Sequence, residues 1–436
     1  MFDSTAALGS ALARAKERYV EANPRSRQLS IDASASLPGG NTRTTLHYGP
    51  FPLAFASGSG AHLTSIDGRD YLDLLGDYTA GLYGHSHPVI LGAISRALEL
   101  GISYGGHNLD EARLAGHLVD RFPSVDLVRF TNSGTEANLL ALALATAVTG
   151  RRKVLVFSGG YHGGVLTFAH GSSPINVPHD WVVGDYNDVD GIRALIDQHA
   201  EDLAAILVEP MVGSGGCIAG TPEFLEMLRS ESTRVAAVLI FDEVMTSRLD
   251  VGGLQRATGI RPDLTTLGKY LGGGMSFGAF GGSRQLMEHF DPTRENAWPH
   301  AGTFNNNVLT MAAGAAGLDE VLTPEALSDL NRRGDRMRTA LNQVFSDAGV
   351  DMQATGVGSL MTIHATAAPI STPSDLAHGS ELVKELFFFD MLDAGFWMAR
   401  RCMIALSLPV TDLEAAGFVA AVRGFVERRA DVLPRR

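Results

Sequence analysis

Three short stretches of this chain carry residue types that could do chemistry together. In Phe130-Thr131-Asn132-Ser133-Gly134-Thr135-Glu136-Ala137-Asn138 an apolar run ends, a Ser-Gly-Thr turn follows and a helical stretch begins. The free N–H groups of a helix start, at the positive end of its dipole, bind anions, and flanking hydroxyls add donors. That suits a phosphate monoester, although Ser133 or Thr135 could equally serve as a plain N-cap. In the second stretch, Asp242-Glu243-Val244 follows the apolar run 235–241. A carboxylate at the end of a buried strand can pair with a heteroaromatic N–H⁺. Asp242 would then keep the pyridine nitrogen of pyridoxal phosphate protonated and its ring an electron sink. Taken alone it could equally be a metal ligand or a helix cap. The third stretch is Pro262-Asp263-Leu264-Thr265-Thr266-Leu267-Gly268-Lys269-Tyr270, with Gly272-Gly273-Gly274 just beyond. It sets a lysine in apolar, glycine-rich surroundings, where an ammonium is costly unless paired or neutralised. Imine formation with an aldehyde neutralises it, which makes Lys269 the expected Schiff-base lysine. Candidates are few: only Lys16, Lys153, Lys269 and Lys384 among the 35 basic residues are lysine.

These residues need elements to position them. The runs 127–132, 153–157, 204–209 and 235–241 read as short strands, and 135–149, 188–199 and 222–230 as helices between them. Such alternation predicts a mostly parallel, helix-covered α/β sheet, with ligands outside the carboxyl ends of its strands. Gly58–Gly60 and Ile66-Asp67-Gly68-Arg69 read as turns of an N-terminal antiparallel meander. Towards the C-terminus, helices are expected near 324–347 and 381–394, and strands at 360–364 and 403–408. A small domain built from both chain ends therefore flanks a large central one.

Composition is that of an ordinary globular chain, 45% apolar and 19% charged over 436 residues. A net charge of −13 argues against nucleic-acid or anionic-membrane partners. Residues 1–23 show helical spacing but no apolar signal-peptide core, and no stretch is long enough to span a membrane, so a cytoplasmic enzyme is expected. Cys217 and Cys402 match no metal or redox spacing and read as reduced thiols. No metal is expected, since there is neither an HExxH motif nor a His/Cys cluster. His85-Ser86-His87-Pro88 reads as a turn and helix start, and Gly58-Ser59-Gly60 as a hairpin turn.

Ser-Gly-Thr-Glu-Ala, Asp-Glu-Val and the late Gly-Lys, in this order and spacing, resemble the class III pyridoxal-phosphate aminotransferases of fold type I. The likeness runs over nearly the whole chain. Within that class it extends to the aromatic β-amino-acid (β-phenylalanine) aminotransferases through Phe157-Ser158-Gly159-Gly160-Tyr161-His162-Gly163-Gly164, residues 265–280 and residues 302–307. The glutamate-1-semialdehyde aminomutases are the next relatives. The resemblance implies a large domain, 71–322, with a mostly parallel seven-stranded sheet. The small α+β domain would be formed by 1–70 and 323–436. It also implies that Gly134 and Thr135, with Ser133 beside them, hold the phosphate, and that Tyr161 and Val244 cover the two faces of the ring. Asp242 pairs with the ring nitrogen, and Lys269 holds the aldehyde. Thr303 reaches the phosphate of the neighbouring subunit's cofactor, which requires a homodimer with active sites at the interface.

By the same resemblance the enzyme moves the amine of a β-amino acid to a 2-oxo acid, such as 2-oxoglutarate or pyruvate, in two half-reactions. Lys269 is the general base and acid. Two carboxylates must then be received, and arginine's planar fork does this with two parallel hydrogen bonds. Arg43 corresponds to the residue for the β-amino acid's carboxylate, and Arg401, rather than the adjacent Arg400, to the one for the acceptor's. An aminomutase needs no separate acceptor, so Arg401 favours transamination over the mutase alternative. Phe51, Phe55, Tyr78, Met275 and Ala312 are candidates for the side-chain pocket or, equally, for core.

Overall fold

Strands buried on both faces read as continuous apolar runs, and the centre of this protein is built from them. The computed structural model describes residues 4–169 and 171–436; residues 1–3 of the predicted N-terminal helical stretch lie outside these. The chain divides into two compact units. One comprises Met1–Ser86, Leu330–Pro369 and Leu376–Arg436, the other His87–Asp329 and Ile370–Asp375. The divisions at 86 and 329 lie beyond the expected 70 and 322. The extra N-terminal residues stay with the first unit because Leu74 N donates to Trp397 O and Leu408 N to Leu82 O.

The second unit carries a seven-stranded sheet. Its strands are β1 (Leu127–Thr131), β2 (Lys153–Phe157), β3 (Asp180–Gly184), β4 (Leu203–Val208), β5 (Val238–Asp242), β6 (Leu264–Gly268) and β7 (Gly278–Gly282). They lie in the order β1-β7-β6-β5-β4-β2-β3. All run in one direction except β7, which is antiparallel to both β6 and β1. Every residue of β4 and β5 is buried. Side chains alternate between two cores. Leu155, Ile206 and Leu239 pack with helices Val189–Gln198 and Pro222–Arg234 on one face. Val154, Leu207 and Ile240 pack with helix Gly134–Thr149 on the other.

β5 begins later than the apolar run 235–241 suggested. Val235 caps the helix Pro222–Arg234 and Ala236 is a left-handed turn residue (φ 55°), so 235–237 connect the two elements. β7, Gly-Ala-Phe-Gly-Gly, gave no strand signal in sequence. Its Gly278 is required by close approach, because a Cβ there would overlap Ser133 O and Thr131 Oγ1.

The first unit holds the expected meander, Phe55–Ser59, His62–Ser65 and Asp70–Asp73, extended by Phe396–Trp397. A second sheet joins Gln353–Val357, Leu360–His364 and Met403–Ala405. Phe51 belongs to this unit's core, 5.1 Å from the Tyr19 ring, and Phe55 is half-buried with its ring 5.1 Å from that of Trp397. Ala312 is likewise core, with Ala97 and Val308 of the second unit. His87 caps the helix Pro88–Leu100, as the turn reading of that segment anticipated. Among the described residues no helix is long and apolar enough to cross a membrane.

Candidate active site

Five parallel strands of the second unit end at one edge of the sheet, and each delivers a functional group there. β1 leads to Ser133, β2 to Tyr161 and His162, β4 to Glu209, β5 ends on Asp242 and β6 leads to Lys269. Ser133 is the N-cap of helix Gly134–Thr149, its Oγ accepting from Glu136 N at 3.2 Å. Glu136 turns back, its Oε2 accepting from Asn132 N (2.9 Å) and Asn132 Nδ2 (3.2 Å). Capping and anion binding are compatible here, because the first N–H groups of the helix have no intrahelical partner. A Cβ on Gly134 would stand 2.8 Å from Val244 Cγ2, so this glycine admits Val244 against the helix start.

Asp242 is buried and held from three sides. Its Oδ2 accepts from Asn138 Nδ2 and His162 Nδ1, both at 2.8 Å, and its Oδ1 from Val244 N at 3.0 Å. A carboxylate can only accept, so the His162 proton sits on Nδ1. Asn138 also donates to His162 O (2.9 Å) and accepts from Thr266 Oγ1 (2.7 Å). Glu209 completes the floor, accepting from Tyr161 N and Gly213 N at 3.0 Å each. Burial lifts its carboxyl above the usual range; His162 opposes this and Asp242 adds to it.

Lys269 follows β6 with a left-handed backbone (φ 58°), an uncommon conformation for a non-glycine residue and one that concentrates at functional sites. It lines a cavity of about 280 Å³ with Ser133, Thr135, Tyr161, Asp242 and Val244. Met275 lines the same cavity. Tyr161 presents its ring, 44% exposed. The donors fit pyridoxal phosphate. A helix start takes a phosphate, and a primary amine takes an aldehyde. A carboxylate with about four acceptor positions has used three, leaving one for a pyridinium N–H⁺.

The other predicted residues lie elsewhere. Arg43, Tyr78 and Arg401 come together in the first unit, the Arg401 guanidinium 5.0 Å and that of Arg43 5.8 Å from the centre of the Tyr78 ring. Arg400 instead pairs with Glu385 at 3.5 Å. Thr303 is exposed in a separate groove of about 310 Å³ in the second unit, beside Ile102, Tyr104 and Phe304. Sequence reasoning gave no role to Asn138, His162 or Glu209. The available signal was local: each is a polar residue within or beside a motif already singled out.

Residues 45–401 match the family model described as aminotransferase class-III. The chain is 50% identical over 430 residues to a β-phenylalanine transaminase of Variovorax paradoxus, covering 99% of each. The crystal structure of a β-phenylalanine aminotransferase from that organism superposes with a TM-score of 0.97 at 50% identity, covering 98% of this chain and 99% of that one. A solved transaminase with pyridoxal phosphate bound is 31% identical with a TM-score of 0.86, covering 93% and 98%. A glutamate-1-semialdehyde 2,1-aminomutase of Rhodopirellula baltica is 36% identical over 395 residues, covering 86% of this chain and 90% of that protein.

Proposed function

The chain belongs to the class-III aminotransferases, with fold type I architecture, and from that premise we propose that it transfers the amine of an aromatic β-amino acid to a 2-oxo acid in a ping-pong reaction. The donor is β-phenylalanine-like, and the acceptor is 2-oxoglutarate or pyruvate. The observation that carries the pyridoxal-phosphate chemistry is the cavity that joins the amine of Lys269, the buried carboxylate Asp242 and the helix start at Ser133. The choice of donor is supported by the 50% identity to a β-phenylalanine transaminase. When bound, pyridoxal phosphate supplies an electron sink for negative charge at the amine-bearing carbon.

The residues divide the work. Ser133, Gly134 and Thr135 would hold the phosphate, Asp242 would keep the ring nitrogen protonated, and Tyr161 and Val244 would cover the ring. Asn138 and His162 position Asp242 by occupying the rest of its acceptor capacity. Lys269 Nζ would take the proton from the substrate's amine-bearing carbon and hold it for return, as general base and acid. Arg43 receives the donor's carboxylate and Arg401 that of the oxo acid, and Tyr78 stands between these two tasks. An aminomutase reading is carried by relatives at lower identity, 36% against 50%.

Racemic β-phenylalanine with 2-oxoglutarate or pyruvate is expected to yield glutamate or alanine. Conversion of glutamate-1-semialdehyde without an acceptor, and no transfer to either oxo acid, would overturn this reading. A charge-assisted bidentate contact contributes roughly 1.5–3 kcal/mol, so Arg401→Gln should raise KM for the oxo acid by about 10- to 100-fold. The donor half-reaction should stay within about twofold. Equal losses in both half-reactions would refute the division of labour.

The assembly proposed is a homodimer in which Thr303 serves the neighbouring subunit's cofactor. Ile102 (55%), Tyr104 (47%) and Phe304 (59%) leave an apolar surface around Thr303 that a second copy would cover. Sedimentation at micromolar concentration should give twice the chain mass; a monomer of undiminished activity would exclude that role for Thr303. The compartment proposed is the cytoplasm, in keeping with two buried cysteines, Cys217 and Cys402, that form no disulfide.

A further inference from the structure

Residues 76–79 pass through four successive left-handed conformations: φ is 53° at Gly76, 43° at Asp77, 52° at Tyr78 and 81° at Thr79. Each non-glycine residue held there costs free energy, most of all a β-branched one such as Thr79. The corner is fixed by its surroundings in the first unit. Asp73 Oδ1 accepts from Leu75 N (2.8 Å) and Gly76 N (3.0 Å), and Gly81 N donates to Gly76 O (2.8 Å). A Cβ on Gly76 would meet Ala405 O at 3.0 Å.

What this strained corner delivers is two adjacent side chains on one guanidinium. Asp77 Oδ1 accepts from Arg43 Nη1 at 2.9 Å. The Tyr78 ring lies 5.8 Å from the Arg43 guanidinium and 5.0 Å from that of Arg401, and its hydroxyl donates to Thr45 O at 2.8 Å. We propose that Asp77 is a built-in stand-in for the donor's carboxylate: it occupies the Arg43 fork in the resting enzyme and is displaced when the β-amino acid binds. This rests on the reading that Arg43 receives that carboxylate.

Three features make the contact exchangeable. It is a single Nη–Oδ contact, whereas an incoming carboxylate can take both arms of the fork. Both partners are about half exposed (45% and 54%), where ion pairs are screened and weak. The Tyr78 ring keeps a guanidinium in place by cation–π attraction while its anion changes. Asp77 thus holds Arg43 in an ordered pose but lowers its affinity for the donor.

The test compares Asp77→Asn with the parent holoenzyme. Asparagine tolerates left-handed backbone, so the corner should survive the change. In single-turnover reactions with β-phenylalanine, followed by cofactor absorbance, the apparent donor Kd should fall about two- to fivefold. The Kd for 2-oxoglutarate in the other half-reaction should not move. In an Arg43→Gln background the same change should have no further effect on the donor. If Arg43→Gln raises the donor Kd but Asp77→Asn leaves it unchanged or raises it, the stand-in role is wrong and the Arg43 assignment stands. If Arg43→Gln leaves the donor Kd unmoved, the assignment of Arg43 falls and takes this proposal with it.

Discussion

Replacing Lys269 by alanine is expected to abolish the absorbance of lysine-bound cofactor and to lower turnover on the order of 10⁴-fold, the upper range for loss of a positioned general base. No other lysine can substitute. Lys16 pairs with Glu385 at 3.0 Å, Lys384 with Glu381 at 2.8 Å and Lys153 with Asp202 at 2.7 Å. Lys153 also begins β2, at the end of the strand opposite the one that leads to Tyr161. Alanine removes the amine without adding a new demand on the left-handed backbone (φ 58°), because both residues carry a Cβ. The fold should therefore persist, and the melting temperature should change by only a few degrees, as for a change of about 1 kcal/mol or less. Small amines added to the solution should restore part of the proton transfer, since the cavity left by the side chain adjoins Ser133, Tyr161 and Asp242. Turnover within tenfold of the parent would remove Lys269 from the centre of the mechanism.

Asp242→Asn should reduce turnover about 10²- to 10³-fold, as expected when a preorganised charge facing the reaction is lost. The loss comes from hydrogen-bond polarity as well as charge. Three donors face the carboxylate, from Asn138, His162 and Val244. An amide has one oxygen to offer them, so its NH₂ must confront either a donor or the pyridine nitrogen, and a ring nitrogen that accepts from it cannot stay protonated. A cofactor methylated on that nitrogen carries its positive charge permanently. If Asp242 acts by keeping the ring charged, the methylated cofactor should recover much of the lost turnover in Asp242→Asn. No recovery, with cofactor affinity also intact, would leave Asp242 a structural residue only.

How much of this could be seen in the sequence depended on how local the cause was. The runs 153–157 and 204–209 marked β2 and β4 to within a residue because both faces of those strands are buried, which makes the apolar signal continuous. Ser133, Asp242 and Lys269 were identifiable because each stands where an apolar run stops. β7 was not, since Gly278–Gly282 is set by the backbones it must approach, and glycine has no strand preference to announce it. The support around Asp242 was hidden for a related reason. Asn138 and His162 reach it from 104 and 80 positions away, and no spacing rule joins residues that only the finished sheet brings together. Arg401 and Arg400 are neighbours in sequence, yet one stacks on Tyr78 and the other pairs with Glu385, which no composition could tell apart.

The antiparallel strand has a consequence for biosynthesis. β1, which leads to the turn proposed to hold the phosphate, stands at the edge of the sheet, and among the described residues β7 is its one neighbour there. As the chain leaves the ribosome, 127–135 is made early but stays an unpaired edge until Gly278–Gly282 has followed, the kind of long-range pairing that folds slowly and is exposed to aggregation meanwhile. Lys269 emerges only just before that strand. The proposed grip for the phosphate and the proposed amine for the aldehyde are thus finished in the same short stretch of synthesis, so on this reading a truncated or nascent chain would have neither half of the site in working order.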